Sequence, residues 1–389
     1  MKSRIISSVP LIIATITNTA CAQNTQNSKS SSNTNWSIEG VAHKRNHNGD
    51  SVWLNRKSDW QDVCTATIKG KAFRLDGFSD TVYMAVVQDD DYFKMPVVIE
   101  PGMNVRLDAM QHRVSGSPLN EQLYRYEEAY TTVDKQLDKV YMSLDYHQSG
   151  KKYDELENQR QQLWAERDKV MDSLAWQVYA DNADNVVGVY IFEKLAKWAL
   201  ELDKLYLDTV HPRMDRVDAA FAVASPLVRN NESVLYYMNY AEKQRAVRSG
   251  NHYIDFPALS YPDMQPTTLS KLIDGRVAVI DFWASWCGPC RMEITNVLIP
   301  LYKKYADNGL VLVGIDVLDR LPEHDNASKQ LKMPYPQIID TTRFCSEKYG
   351  LESIPQVFVI DRDGTILGNY RGDELVKAVE KALASPNRF

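Results

Sequence analysis

The sequence has few cysteines, no long apolar run and no cluster of basic residues. Five cysteines in 389 residues are too few for a disulfide-dense mini-protein. Beyond the N-terminus, no segment approaches the roughly 20 uncharged residues that cross a bilayer, so we expect no spanning helix in the mature chain. No Lys/Arg cluster is interleaved with aromatics and the formal net charge is −6, which argues against a nucleic-acid partner.

What is present is the composition of an ordinary globular protein. Hydrophobic residues make up 44% of the chain and charged residues 25%. These fractions exclude collagen and a disordered chain, and the length exceeds what one hydrophobic core usually supports. We therefore expect two or three domains.

Residues 1–22 have the layout of a secretory signal peptide. Lys2 and Arg4 precede an apolar stretch from Ile5 to about Ile16, and small residues follow, among them Ala20 and Ala22. The next segment, residues 23–35, is polar and predicts a flexible tether. The protein is therefore expected outside the cytoplasm, in the periplasm or cell envelope.

Two cleavage interpretations stay open. The chain is cut either before Gln23 or before Cys21, which would then be acylated and anchor the chain to a membrane as a lipoprotein. The polar tether favours lipidation of Cys21. Asn18 argues against it, because lipoprotein signals usually carry an aliphatic residue at this position.

Two different patterns follow the tether. Residues 36–117 read as short strands separated by turn signals such as Asp76-Gly77, which predicts a small β domain. Residues 118–250 read as helices. From Leu119 to Leu144 apolar residues alternate four and three apart, and a turn ending at Gly150 leads to a second helix. The short turn favours an antiparallel hairpin within one chain over pairing of two chains.

From residue 253 to 389 strands and helices alternate, which predicts an α/β domain. The apolar runs Val277–Phe282, Leu310–Asp316 and Gln356–Ile360 are the expected strands. Such alternation is typical of a largely parallel central sheet.

The first of these strands runs into the sequence Trp286-Cys287-Gly288-Pro289-Cys290. If a helix begins at the cysteines, its unpaired N–H groups and its dipole favour a thiolate on Cys287, which is then the nucleophile. Cys290, one turn further on, is expected to resolve the mixed disulfide. Asp281 within the apolar strand is the candidate base for a buried thiol, the alternative being an edge-facing acid in a partly exposed strand.

This segment resembles the active site of the thioredoxin superfamily. The N-terminal signal, the Cys-Arg-x-Glu continuation and the hairpin at 361–364 look like the TlpA/ResA-type thiol-disulfide oxidoreductases. The resemblance implies that Cys287 and Cys290 are the redox pair and that Asp281 is a buried proton acceptor. Residues 36–250 resemble the β-plus-helical leader that precedes such domains in envelope proteins.

The resemblance also implies a substrate-binding surface. Pro355 matches the cis-proline that faces the dithiol, and Trp286 and Ile354 are the neighbouring substrate-binding residues. Glu293 matches a family acid, although a solvated helix residue explains it equally well.

The remaining candidates are weak. Cys345 is expected to be a buried small residue or a third thiol that regulates the pair, and Cys64 is expected to be buried or to pair with Cys345. A single Cys-x-x-Cys, without a second pair, makes zinc an unlikely ligand, and His43 and His47 do not share one face in a strand-and-loop region. We expect no metal and no cofactor.

These observations predict an envelope thiol-disulfide oxidoreductase that reduces disulfides of client proteins. Such a reductase requires a membrane-bound electron donor, because the compartment is oxidising. One alternative is a disulfide oxidase or isomerase. Another is an envelope binding scaffold in which residues 36–250 act and the dithiol is vestigial.

Overall fold

The computed structural model describes residues 34–144, 150–203, 212–317 and 319–385. The predicted signal peptide, Cys21 and most of the predicted tether lie outside the described residues. The chain divides into two compact units, residues 1–191 and 192–389, and the division falls within one helix. Among the described residues, no helix has both the length and the apolar character needed to cross a membrane.

Two four-stranded sheets form the first part of unit one, with strand orders β4-β1-β7-β8 and β3-β2-β5-β6. The strands are β1 (Trp36–Val41), β2 (Ser51–Arg56), β3 (Asp62–Thr67), β4 (Ala72–Gly77), β5 (Tyr83–Gln88), β6 (Lys94–Ile99), β7 (Asn104–Asp108) and β8 (Arg113–Ser115).

One turn prediction in this region is wrong. Asp76 and Gly77 belong to β4 and pair with β1. A Cβ on Gly77 would lie 2.5 Å from the Trp36 ring, so the glycine reflects close packing within the sheet.

Helices follow the sheets. They are α1 (Pro118–Ser143), α2 (Lys151–Lys169), a π-helical segment (Val170–Ala175), α3 (Trp176–Asp181) and α4 (Val186–Asp203). α1 and α2 form the antiparallel hairpin that the seam predicts, around Val133, Leu137 and Leu163. Trp164 Nε1 donates to the hydroxyl of Tyr141 at 2.9 Å across this pair.

Unit two contains further helices and a seven-stranded sheet of order β10-β9-β13-β12-β11-β14-β15. The strands are β9 (Pro257–Tyr261), β10 (Pro266–Thr268), β11 (Val277–Trp283), β12 (Leu310–Asp316), β13 (Gln337–Ile339), β14 (Gln356–Ile360) and β15 (Ile366–Asn369). The helices are α5 (Pro212–Ala222), α6 (Pro226–Arg229), α7 (Glu232–Ala246), α8 (Leu269–Ile273), α9 (Gly288–Glu293), α10 (Ile299–Tyr305), α11 (Leu321–Leu331), α12 (Phe344–Lys348) and α13 (Gly372–Ala384).

The expectation of a largely parallel sheet is wrong. Only β13, β12 and β11 run parallel, whereas β14 is antiparallel to β11, and β15 and β10 join through antiparallel pairs. Apolar runs identify buried strands but do not reveal their direction.

The residues of β11 alternate between two cores. Ala278, Ile280 and Phe282 belong to the core on one face of the sheet. Val277, Val279 and Trp283 belong to the other core, which also contains Cys287 and Cys290. Because side chains alternate along a strand, Asp281 projects from the same face as the cysteines.

The segment after α7 covers the outer edge of β15. Gly250 N donates to Ile366 O at 2.9 Å, and Ile366 N donates to Asn251 O at 2.7 Å. Tyr253 N donates to Gly364 O at 2.9 Å. Residues 250–253 thus close this side of the seven-stranded sheet.

Candidate active site

The two cysteines lie where β11 gives way to a helix. Cys287 is the N-cap of α9, and its Sγ accepts a hydrogen bond from Cys290 N at 3.2 Å. α9 continues through a π-helical segment (Ile294–Leu298) into α10, so the helix extends over residues 288–305. In this structure Cys287 and Cys290 form a disulfide. The N-cap position offers the sulfur of Cys287 the unpaired N–H groups that would stabilise a thiolate after reduction.

The loop before β14 faces this disulfide. The Ile354–Pro355 peptide bond is cis, and the carbonyl oxygen of Ile354 lies 3.7 Å from Cys287 Sγ. Trp286, immediately before the first cysteine, is 63% exposed. An exposed aromatic ring and a backbone carbonyl therefore adjoin the outer sulfur of the pair.

Asp281 is completely buried in β11, and neither carboxylate oxygen has a hydrogen-bond partner. Burial raises its pKa well above the ordinary value, and the nearby charge of Glu293 raises it further, whereas Arg371 acts in the opposite direction. An edge-facing, partly exposed acid is thus not what the structure contains. A carboxylate with a raised pKa is a stronger base for a thiol proton.

Glu293 bridges two elements on this side of the sheet. Its Oε1 accepts a hydrogen bond at 2.8 Å from Gly372 N, the first amide of α13. Arg371 is the N-cap of the same helix. The buried Tyr335 also lies near Asp281, since burial and the charge of Asp281 together raise the pKa of its phenol.

Sequence reasoning missed a hydrogen-bonded network that holds the loop before Cys287. Asp319 accepts from Ser285 N at 2.6 Å and from Ser285 Oγ at 2.8 Å. Asp319 N in turn donates to Asp316 Oδ1 at 3.0 Å, and Asp316 Oδ2 pairs with the buried ring of His324 at 2.6 Å. Asp316 ends β12 directly beside Trp283 of β11, so acids at the ends of adjacent parallel strands were an available signal.

Asp316, Asp319 and His324 place potential ligand atoms within 4.8 Å of one another. The hydrogen bonds to Ser285 and between Asp316 and His324 already engage all three side chains. The cluster is therefore accounted for by its structural contacts.

The other described cysteines, Cys64 and Cys345, are both buried, and neither is in a disulfide. The suggested pairing between them is thus not formed. Asp340 Oδ2 accepts from Cys345 N at 2.8 Å, and burial together with Asp340 raises the pKa of the Cys345 thiol. A thiol held protonated in this way is a poor nucleophile.

Known proteins resemble the part of the chain that holds this site. Residues 250–368 match the AhpC/TSA family. The thiol-disulfide oxidoreductase ResA of Bacillus cereus is 26% identical over 148 residues, which cover 38% of this chain and 83% of ResA. The thiol:disulfide interchange protein CycY of Rhizobium leguminosarum bv. viciae is 33% identical over 143 residues, which cover 33% of this chain and 73% of CycY.

Among solved structures, a thioredoxin-family thiol:disulfide interchange protein from Chlorobium tepidum TLS is 29% identical. The match covers 35% of this chain and 98% of that chain, with a TM-score of 0.31. The sequence relatives confirm the predicted thioredoxin-like α/β fold and the oxidoreductase activity. This chain belongs to the thioredoxin-like thiol-disulfide oxidoreductases.

Proposed function

We propose that this oxidoreductase reduces disulfides of client proteins through Cys287 and Cys290. The observation that carries the proposal is the position of Cys287. Its sulfur caps a helix N-terminus and lies 3.7 Å from the Ile354 carbonyl, on the sheet face that also holds the buried Asp281. These are the parts that a nucleophilic thiolate and its resolving partner require.

The reaction transfers two electrons from the dithiol to the client. The Cys287 thiolate attacks one sulfur of the client disulfide, which forms a mixed disulfide and releases the first client thiolate. Cys290 then loses its proton and attacks the Cys287 sulfur. The second client thiolate leaves, and the Cys287–Cys290 disulfide seen in this structure results.

Asp281 is the proposed acceptor of the Cys290 proton. Cys290 is 0% exposed, so water does not readily reach its thiol. Asp281 projects from the same sheet face and has no hydrogen bond to give up. Ionised Asp281 would therefore take the proton in the step that releases the client.

The client segment is proposed to lie in extended form across Trp286, Ile354 and Pro355. The exposed Trp286 ring offers apolar contact area, and Ile354 offers backbone next to the reactive sulfur. An extended segment can pair with such backbone while its disulfide meets Cys287.

The direction of electron flow follows from the redox potential of the pair, and the Gly288-Pro289 dipeptide matches that of thioredoxin, a reductant. Titration of the purified protein against glutathione or a stronger dithiol should give a value near about −270 mV. A value near about −120 mV would reverse the direction to oxidation. A reductase in an oxidising compartment needs a membrane-bound electron donor.

A trapping experiment tests the roles of the two cysteines. Cys290→Ser should accumulate a mixed disulfide between Cys287 and a disulfide-containing peptide, detected by mass spectrometry, because the resolving thiol is absent. Cys287→Ser, the matched control, should accumulate none. Equal trapping by both variants would overturn the assignment, and a pair that does not titrate reversibly would favour the scaffold alternative.

We also propose that the protein acts in the periplasm or cell envelope, on the basis of residues 1–22. The mass of the mature N-terminus tests this proposal. A chain that begins at Gln23 indicates soluble secretion, and an acylated Cys21 indicates a membrane-anchored lipoprotein. A mature chain that retains Met1 would contradict both.

A further inference from the structure

A cavity of about 350 Å³ opens between α4 and α7 in unit two. Glu193 lines it from α4, and Glu232, Ser233, Tyr236 and Tyr237 line it from the first turns of α7. Its walls therefore combine two carboxylates with two phenol rings. Nothing in the dithiol chemistry described above uses these residues.

The aromatic wall is a pair of rings set edge to face. The ring centroids of Tyr236 and Tyr237 lie 5.2 Å apart with an interplanar angle of 79°. Tyr236 is 55% exposed, so its ring is accessible from the cavity mouth. Aromatic faces attract ammonium and guanidinium groups within about 6 Å of the ring centroid.

The electrostatic field in the cavity is negative. Burial raises the pKa of Tyr237, and the carboxylates of Glu193, Glu201 and Glu352 raise it further. A site that disfavours a tyrosinate on account of surrounding carboxylates favours a cation for the same reason. The cavity thus suits a basic side chain by shape and by charge.

This cavity adjoins the loop that faces the disulfide. The hydroxyl of Tyr236 donates to Glu352 Oε1 at 2.9 Å. Gln244 Nε2, further along α7, donates to Gly350 O at 2.8 Å. Glu352 is two residues before Ile354, whose carbonyl lies 3.7 Å from Cys287 Sγ. Two residues of chain and two side chains separate the cavity from the reactive sulfur by about 10–15 Å.

We propose that this cavity is a specificity subsite that binds a Lys or Arg side chain of the client polypeptide. An extended chain rises about 3.3 Å per residue, so the basic residue would lie about three to five positions from the client cysteine. This inference rests on the proposed reduction of client disulfides and adds to it a preference for clients with a basic residue near the cysteine.

The test uses the full-length mature protein, reduced beforehand and freed of reductant, in single-turnover reactions with fluorogenic disulfide peptides. The peptides differ only at one position, about three, four or five residues from the cysteine, which carries Lys, norleucine or Glu. In at least one register the Lys peptide should react about tenfold faster than the Glu peptide, a difference of about 1.4 kcal/mol.

The matched variants separate the cavity from the overall charge. In Glu193→Gln/Glu232→Gln the Lys and Glu peptides should react within about twofold of each other. Glu242→Gln removes a charge from an exposed position on α7 outside the cavity, and this variant should keep the preference. In the unmodified protein, raising NaCl from about 50 mM to about 500 mM should also weaken the preference, which provides a test without any substitution.

The outcomes distinguish the two proposals. Reduction of the norleucine peptide supports the proposed function, and its absence removes that function together with this inference. Reduction of all three peptides at equal rates in every register overturns the subsite alone. A Lys preference that persists in Glu193→Gln/Glu232→Gln also overturns it, because the preference would then arise elsewhere.

Discussion

The burial of Asp281 predicts a stability difference that grows with pH between the native protein and Asp281→Asn. In the folded chain this carboxyl is 0% exposed and has no hydrogen-bond partner, and its pKa is raised well above the ordinary value by burial and by Glu293. In the unfolded chain the same group ionises near pH about 3.9. The folded state therefore keeps a proton that the unfolded state has lost.

The sign follows from this proton. Above pH about 3.9 each further unit lowers the free energy of unfolding by about 1.4 kcal/mol, until the raised pKa of the folded state is reached. Asparagine carries no such proton, so the variant is spared this loss. Its stability relative to the native protein should rise by about 1.4 kcal/mol from about pH 5 to about pH 6. A fixed offset from the buried amide leaves that slope unchanged.

Hydrogen exchange of the β11 amides in increasing urea, with the disulfide intact, measures the free energy of opening for this strand. Asp307→Asn, at an exposed position after α10, serves as the control substitution. A difference between Asp281→Asn and the native protein that stays constant across this pH range would refute the reasoning. It would show that Asp281 is ionised in the folded state.

Two further predictions concern charges and hydrogen bonds around the site. Glu293→Gln removes a charge that raises the pKa of Asp281 and Arg371→Gln removes one that lowers it, so the upper end of the pH window should move down in the first variant and up in the second, measured by the same exchange series; movement in one direction for both would contradict the assignment. Asp319→Ala leaves Ser285 N and Oγ without their acceptor, which costs about 1–3 kcal/mol, so exchange at the Ser285 amide should accelerate about 5- to 150-fold. Unchanged protection there would show that Asp319 does not hold the loop.

The local parts of the site could be predicted from the sequence because they lie within one short stretch. The run from Val277 to Cys290 contains a buried strand, its internal acid and both cysteines, and their order alone suggests that chain geometry brings them together. The strands β12 and β14 also have the bounds that their apolar runs predict.

The surroundings of Asp281 could not be predicted in the same way. Glu293 and Gly372 are 79 residues apart in sequence, and only the packing of α13 brings the amide to the carboxylate. The direction of β14 was missed because an apolar run carries no sign of its orientation. In each case the missing information lies in the tertiary contacts of distant segments.

The cover that residues 250–253 place over β15 has a practical consequence for work with shortened chains. A fragment that begins after Tyr253 would lack the backbone groups that pair with Ile366 and Gly364. Its sheet would then end in an open strand edge, which invites pairing with another molecule and aggregation. A fragment that begins ahead of α7 keeps this edge occupied, and it is the better choice for solubility and crystallisation.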